Sequence, residues 1–246
     1  MFTDVSANDW AYKSILKVAE SGRMSGYPDG TFAPDAPITR REMASVLARQ
    51  MAWDGSFKDI LPAVMPAVMT LYFGGTLGSG VFVSGEGHII TNRHVAEVST
   101  TGTMTVIKDG QDNVSAKIIS VSALHDLALL KVDFAPPAYL KLAEADCERG
   151  DHVGVLGSPK GYSDSFTQGV VSHPLRVGST YSSTPDCFQF DAPSSPGNSG
   201  GPVINEAGEM IGFACTKFIA LDTEGLAWAV HARYARELLV GNGVIL

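Results

Sequence analysis

The sequence predicts a mainly β protein preceded by a small helical domain. From Met65 onward, short runs of β-forming residues alternate with glycine turns, a texture typical of antiparallel sandwiches and barrels. Residues 1–53 differ, because their apolar residues recur at the i, i+3, i+4 spacing of one buried helix face. Residues 54–64 are rich in small residues with a glycine and a proline, and they are predicted to link the domains 1–53 and 65–246.

The composition is that of an ordinary soluble protein and excludes several functions. The chain has 246 residues, a hydrophobic fraction of 45% and a formal charge of −8. Its scattered basic residues argue against a nucleic-acid partner, since phosphate recognition requires clustered Lys and Arg. No apolar run reaches the roughly 18 residues that a membrane helix needs, and no export signal is visible. The three cysteines and six histidines lack paired spacing, so no metal or other cofactor is expected.

In the N-terminal domain the pattern predicts two helices joined by a turn. Asn8 or Asp9 can cap a first helix of about residues 10–21. The segment 26–30, Gly-Tyr-Pro-Asp-Gly, has the residues of tight turns. At 39–42, Thr-Arg-Arg-Glu reads as a capping box, which predicts the start of a second helix.

The C-terminal domain is predicted to consist of many short strands and a closing helix at 231–240. The strands are expected at 76–84, 87–91, 103–108, 114–121, 127–132, 152–157, 165–172, 187–191, 202–205, 208–215 and 226–230.

The strongest chemical signal is the segment 195–202, Ser-Pro-Gly-Asn-Ser-Gly-Gly-Pro. A hydroxyl becomes an effective nucleophile when a base removes its proton, and we predict Ser199 for this role. The attacked carbonyl oxygen becomes negative and needs backbone amides aimed at it. Gly197 tolerates the twist that turns its N–H inward beside that of Ser199, so the oxyanion hole is predicted at Gly197, Asn198 and Ser199.

Two upstream motifs supply a base and a carboxylate. A strand ends in Thr-Asn and is followed on the first turn by His94, a rigid mount for a general base. Asp126 stands at the entrance to an apolar strand, where a carboxylate can accept the Nδ1–H of the imidazole and stabilise the imidazolium. His125 is a rival base, but we interpret it as a flanking residue because Asp126 occupies the next position in the strand pattern.

Together these motifs resemble the protease domain of the HtrA family of trypsin-like serine peptidases. The matching segments are Gly78–Gly80, Thr91–Val95, Asp126–Val132, Leu156–Pro159, Pro196–Pro202 and Gly225–Val230. The resemblance covers 65–240 and implies a trypsin-like double β-barrel, two six-stranded antiparallel barrels with the triad His94, Asp126 and Ser199 between them. It also implies a serine endopeptidase that hydrolyses protein substrates through an acyl-enzyme intermediate.

The resemblance locates a substrate pocket and marks one departure from the family. Family members usually carry PDZ domains after the protease, whereas this sequence ends at Leu246, so regulation by PDZ-bound peptides is expected to be absent or to be passed to a partner. The implied pocket residues are Pro193, Ser194, Ser195, Cys215 and Lys217. Because the loop ahead of the nucleophile carries no carboxylate, we expect small or medium apolar P1 residues rather than Lys or Arg.

The N-terminal residues 2–52 resemble a single S-layer homology (SLH) repeat. The matching segments are Phe2–Val5, Trp10–Ala11, Gly26–Phe32, Pro34 and Ile38–Glu42. The resemblance implies binding of cell-wall polysaccharide, in which Trp10 can stack on a sugar ring and Arg40 can bind an anionic substituent. The alternative is that both residues only pack the two helices together.

These observations favour a serine endopeptidase tethered to a cell wall or cell surface, without a membrane span. The alternative is a catalytically inactive protease-like scaffold that acts as a cell-wall- or virion-associated binding protein, although an intact triad favours the enzyme. SLH repeats normally come in threes, and residues 57–60, Phe-Lys-Asp-Ile, look like the start of a second one. A homotrimer would bring three copies about one axis. An extracellular location is expected, with a cytoplasmic or phage-associated one left open by the missing export signal.

Overall fold

The chain forms two compact units, Met1–Ser56 and Phe57–Leu246. The computed structural model describes residues 2–9, 11–20, 26–27, 29–37, 57–108, 113–177, 186–215 and 225–245. Within this described part, no helix is long and apolar enough to cross a membrane. The two units are described separately below.

The first unit contains a helix, Tyr12–Glu20, as the apolar spacing predicted. The carboxylate of Asp9 accepts a hydrogen bond from the Ala11 amide at 2.7 Å, so Asp9 rather than Asn8 satisfies a free N–H near the helix start. The second predicted helix, with its capping box at 39–42, lies outside the described residues.

The turn residues of the first unit that match the SLH pattern contact one another. The Asp4 carboxylate accepts the amide of Phe32 at 2.8 Å and that of Ala33 at 2.6 Å. The ring of Phe2 packs on that of Phe32, with centroids 5.0 Å apart. Asp29 accepts both the amide and the hydroxyl of Thr31, which closes the turn. The motif positions at 2–4 and 29–32 are therefore partners in one small tertiary contact.

The second unit consists of two closed barrels of six strands each, which confirms the predicted fold class. The first barrel contains β1 Val68–Phe73, β2 Thr76–Phe82, β3 His88–Thr91, β4 Thr103–Ile107, β5 Val114–Val121 and β6 Ala128–Lys131, in the order β1-β2-β3-β6-β5-β4. The second contains β7 His152–Gly157, β8 Ser165–Val177, β9 Asp186–Phe190, β10 Pro202–Ile204, β11 Met210–Cys215 and β12 Ala227–His231, in the order β10-β11-β12-β9-β8-β7. Neighbouring strands pair antiparallel throughout, and the closing helix is Ala232–Gly241.

The strand β1 was missed by the sequence prediction. Its first four residues are all buried, and it therefore lacks the alternation of apolar and polar residues that identifies a half-exposed strand. Two short 3-10 segments, Met65–Ala67 and Pro159–Gly161, and a four-residue helix, Arg93–Ala96, complete the described elements.

Each barrel closes around its own apolar side chains. Leu71, Ile89 and Leu129 are fully buried in the first barrel, and Phe188 and Phe190 are fully buried in the second. Each such side chain contributes about 1.5–3 kcal/mol relative to an exposed one. The packed barrels formed in this way hold in place the strand ends that carry the candidate catalytic residues.

The prediction that residues 54–64 form a linker is wrong from residue 57 onward. Phe57–Val64 is a helix that belongs to the second unit, and both of these terminal residues are buried. The Phe57 ring packs on Phe166 of β8 with centroids 5.4 Å apart. Phe57, Ile60 and Val64 form one apolar helix face, and burial of that face outweighs the cost of Pro62 inside the helix. Residues 57–60 thus belong to the barrel unit and do not begin a second repeat.

Candidate active site

The register of the first barrel brings His94 next to Asp126. Thr91, at the end of β3, pairs with Ala128, at the start of β6. Because the strands run antiparallel, the residues just after Thr91 lie beside those just before Ala128. The short helix Arg93–Ala96 begins at this strand end and carries His94 on its first turn.

Three hydrogen bonds fix the pair. The Nδ1 of His94 lies 2.6 Å from the Oδ2 of Asp126, and the His94 amide donates to Oδ1 at 2.9 Å. The side-chain amide of Asn92 donates to the main-chain carbonyl of Asp126 at 2.9 Å. A carboxylate can only accept, so the Nδ1 carries a hydrogen, and in the neutral imidazole the lone pair is then on the Nε2. This is the orientation that a general base requires.

Asp126 is buried, at 1% exposure, and its environment favours the ionised form. Burial by itself raises the pKa of Asp126. The hydrogen bonds from His94, together with one from the thiol of Cys215, outweigh burial and hold that pKa below its ordinary value. Asp126 is therefore an anion at neutral pH, ready to stabilise a positive charge on His94.

The loop of Ser199 joins this pair through Ser79 on β2. The Ser79 amide donates to the carbonyl of Ser199 at 2.7 Å. The Ser79 carbonyl accepts the hydroxyl of Thr91 at 2.6 Å, which ties the same residue to the strand end before His94. The second barrel holds the other side of the loop, because the Gly200 amide donates to the carbonyl of Ala214 at 2.9 Å.

Gly200 shows how closely the two barrels approach at this point. Its φ is +84°, and a Cβ there would overlap the Thr91 hydroxyl and the Ser79 carbonyl and lie 2.9 Å from the amide of Asn92. Only glycine permits this approach, which brings the residue after Ser199 against the strand end before His94.

The loop of the predicted oxyanion hole is held by two main-chain contacts. The Lys160 amide donates to the Pro196 carbonyl at 2.9 Å. Since the C=O and N–H of a trans peptide point in opposite directions, the Gly197 amide points away from Lys160. The φ of Gly197 is +106°, and a Cβ would lie 2.8 Å from the Lys160 nitrogen. The Asn198 amide is used within the loop, donating to the Ser195 carbonyl at 3.0 Å. The amide of Asn198, one of the three residues predicted for the hole, is therefore already engaged within the loop.

The predicted pocket residues divide into three groups. The Pro193 carbonyl accepts the hydroxyl of Thr167 on β8 at 2.7 Å, which fixes the start of the loop ahead of Ser199. Cys215 contacts the triad, because its thiol donates to the Asp126 carboxylate at 3.3 Å. Its thiol is thus directed at the carboxylate rather than available as a pocket surface. Lys217 lies outside the described residues, as do Trp10 and Arg40 of the predicted glycan site.

His125 has a packing role rather than the role of a general base. Its ring stacks on that of Tyr234 at 3.6 Å between centroids, and burial lowers the pKa of His125. The flanking interpretation of this residue agrees with the structure.

The sequence analysis missed a buried hydroxyl network beneath the Ser199 loop. The Ser79 hydroxyl donates to the Gly197 carbonyl at 2.7 Å and accepts the amide of Ser158 at 2.9 Å. The hydroxyl of Thr70 donates to that of Ser158 at 2.6 Å. All three residues are at most 3% exposed. The segments Gly78–Gly80 and Leu156–Pro159 contained a signal, since a glycine inside a strand often marks the close approach of another backbone segment.

One cluster in the described part of the chain has ligand atoms spaced for a metal ion. It consists of His94, Asp126 and Cys215, whose donor atoms all lie within 4.8 Å of one another. The sequence spacing did not indicate this cluster, because its members lie on three segments of the chain far apart in sequence.

Comparisons with known proteins agree with this geometry. A family model for the trypsin-like peptidase domain matches residues 78–213, and one for the S-layer homology domain matches residues 2–44. A DegP-like periplasmic serine endoprotease of Pseudomonas fluorescens is 38% identical over 138 residues, which cover 56% of this chain and 28% of that protein. A Do-like serine protease HtrA of Lactobacillus helveticus is 34% identical over 165 residues, which cover 62% and 40%.

The solved structures extend the likeness to about three quarters of the chain. The HtrA-type protease AlgW with tripeptide is similar with a TM-score of 0.66 and 27% identity, over 77% of this chain and 65% of that one. The chain spans well under half the length of the two curated relatives, so these likenesses describe the shared domain.

Proposed function

Because the chain belongs to the trypsin-like peptidase family, we propose that it is a serine endopeptidase of the HtrA type that cleaves protein substrates. The observation that carries this proposal is the contact of 2.6 Å between the His94 Nδ1 and the buried Asp126 carboxylate. It leaves the His94 Nε2 free of a proton, beside a loop whose sequence is that of a serine nucleophile.

In the first step His94 acts as general base. Its Nε2 takes the hydroxyl proton of Ser199 while the oxygen attacks the substrate carbonyl carbon. The imidazolium that forms is stabilised by Asp126, whose lowered pKa keeps it anionic. The amides of Gly197 and Ser199 are the donors for the negative oxygen of the tetrahedral intermediate.

Collapse of that intermediate gives an acyl-enzyme. The leaving amine takes the proton from His94, and the carbonyl of the substrate stays esterified to Ser199. Water then attacks the ester with His94 again as base, which releases the second product and restores the hydroxyl. No metal or organic cofactor takes part in these steps.

The loop Pro193–Ser195 supports a preference for small or medium apolar P1 residues. This loop carries no acidic side chain to pair with Lys or Arg. Profiling with peptide libraries would test the preference, and dominant cleavage after Lys or Arg would contradict it.

Fluorophosphonate labelling tests the mechanism. The parent, Ser199→Ala and His94→Ala are labelled side by side, with Ser115→Ala and the exposed His152→Ala as matched controls. We expect labelling to vanish in the two active-site variants and to persist in the controls. Casein cleavage at neutral pH should fall by about 10⁴-fold or more, as is typical when a triad member is removed.

The inactive scaffold is the alternative outcome of the same experiment. A folded parent that is neither labelled nor able to cleave casein, even with added unfolded protein, would refute the peptidase. The SLH segment would then be the main functional element.

We propose further that residues 2–44 tether the peptidase to a cell wall, and that the protein works at a surface or outside the cell. The support is the match of this segment to the S-layer homology domain and the periplasmic location in the name of the DegP-like relative. Co-sedimentation with purified bacterial cell walls tests this, with Trp10→Ala and Arg40→Ala as variants and Ser199→Ala as control. Equal binding by all four proteins would assign no role to Trp10 or Arg40, and absence of binding by the parent would refute the tether.

A homotrimer is the assembly we propose, because one chain contains a single matched SLH segment and such repeats act in groups of three. Sedimentation velocity at micromolar concentration should give the mass of three chains. A monomer at that concentration would refute the trimer.

A further inference from the structure

We propose that His94, Asp126 and Cys215 form a Zn²⁺ site that inhibits the peptidase. The inhibitory part of this inference rests on the proposed function, whereas the site itself rests on the geometry alone. Cys215 is the distinctive member, because its thiol occupies a position against the carboxylate of the catalytic pair.

The donor atoms need little movement to bind zinc. The His94 Nδ1 and Asp126 Oδ2 are 2.6 Å apart, and the Cys215 Sγ is 3.3 Å from the same oxygen. Tetrahedral zinc with its usual bond lengths separates nitrogen and oxygen ligands by about 3.3 Å, and sulfur and oxygen ligands by about 3.5 Å. The nitrogen–oxygen pair must therefore open by less than about 1 Å. The Nδ1 and Sγ lie within 4.8 Å of one another and must approach to about 3.6 Å.

The donor set selects the metal. Thiolate, imidazole and carboxylate together suit zinc, whereas magnesium and calcium prefer oxygen ligands. The negative charges of Asp126 and of a Cys215 thiolate cancel the two positive charges of the ion. This neutrality matters because both residues are 1% exposed, where an uncompensated charge would be costly.

The fourth ligand is a water molecule on the accessible side. The His94 side chain is 22% exposed, and it is the one member of the cluster with substantial solvent contact. The ion therefore enters from the His94 side and keeps a water molecule in its remaining position, as zinc does with three protein ligands.

Zinc binding changes the tautomer of His94. Before binding, the Nδ1 and the thiol each carry a hydrogen and the Nε2 carries a lone pair. The metal takes the Nδ1 and the sulfur, the Nε2 gains a proton, and one proton is released to solvent. An Nε2 that carries a hydrogen cannot accept the proton of Ser199, so the zinc-bound protein lacks its general base.

The binding test uses Co²⁺, which occupies zinc sites and gives a visible spectrum. The parent, kept reduced with a phosphine, is titrated beside Cys215→Ser, Cys215→Ala and the control Cys147→Ala, whose cysteine is buried in the core of the second barrel and is not a member of the metal cluster. Circular dichroism establishes that each variant is folded. We expect one tetrahedral Co²⁺ per chain with a thiolate charge-transfer band in the parent and the control.

Loss of Cys215 should remove the band and weaken binding by at least about 100-fold, since even outer partners of a metal site are worth about 10–100-fold. Identical titrations for the parent and both folded Cys215 variants would overturn the proposal, as would a parent that shows no thiolate band.

Inhibition is measured separately by the rate of fluorophosphonate labelling. Zinc should slow labelling of the parent, a chelator should restore it, and Cys215→Ser should need at least about 100-fold more zinc for the same effect. A parent that binds Co²⁺ through Cys215 but is never labelled would refute the proposed peptidase while supporting the metal site. Full labelling of the zinc-saturated parent would overturn the inhibitory role.

Discussion

Replacing Ser79 with alanine tests whether the buried hydroxyl network supports the Ser199 loop. The Ser79 hydroxyl donates to the Gly197 carbonyl at 2.7 Å and accepts the Ser158 amide at 2.9 Å, and the residue is fully buried. Alanine has nearly the same volume, so the substitution removes two hydrogen bonds and leaves no cavity. Each backbone group left without a partner costs about 1–3 kcal/mol, so the two together predict a loss of about 2–6 kcal/mol in unfolding free energy.

Urea unfolding of the barrel unit measures this loss, with the exposed Ser115→Ala on β5 as matched control. The control should lie within about 0.5 kcal/mol of the parent. The labelling rate of Ser79→Ala should also fall, by up to about 100-fold, because the Gly197–Asn198 peptide loses its anchor next to Ser199. A Ser79→Ala protein as stable as the control and labelled at the parent rate would refute this account of the network.

Three further predictions follow from the same geometry. Gly197→Ala should abolish labelling while the protein stays folded, because its φ of +106° and the nearby Lys160 nitrogen exclude a Cβ; normal labelling would contradict this. Asp126→Asn should lower kcat by about 10⁴-fold, as expected when the imidazole loses its orienting anion, and a loss below tenfold would contradict the proposed orientation. Burial, aided by Arg233, lowers the pKa of His231 to about 4 from an unfolded value of 6.5. Between pH 6.5 and 4 the unfolded chain binds a proton at His231 that the folded chain does not, so stability falls as the pH drops through this range. His231→Phe should flatten this part of a plot of the urea midpoint against pH, and an unchanged slope would contradict the prediction.

Local chemistry explains why much of the barrel unit could be predicted from the sequence. In the closing helix and in most strands, the spacing of apolar residues that indicates the element is visible within a few consecutive residues. The triad positions and Gly197 stand in segments with distinctive neighbours. The φ of +106° at Gly197 is one that glycine adopts freely, so the residue type alone indicates that this conformation is accessible.

Elements whose burial is decided by distant partners were not predictable in this way. The first four residues of β1 are buried on both faces, since one face lies in the first barrel and Thr70 on the strand contacts Ser158 of the second, so no alternation is seen. Residues 57–64 look like a linker until Phe166 and the second barrel supply a surface for their apolar face.

The sequence by itself determined the fold class, the family and the residue types available for chemistry, because these depend on patterns within short segments. Tertiary structure alone decided that the thiol of Cys215 contacts Asp126, and that Ser79 holds both Gly197 and Ser158. These contacts join segments about 80 to 120 residues apart along the chain. They exist only because closing each barrel fixes its strand register, and register is a property of paired strands that neither strand carries alone.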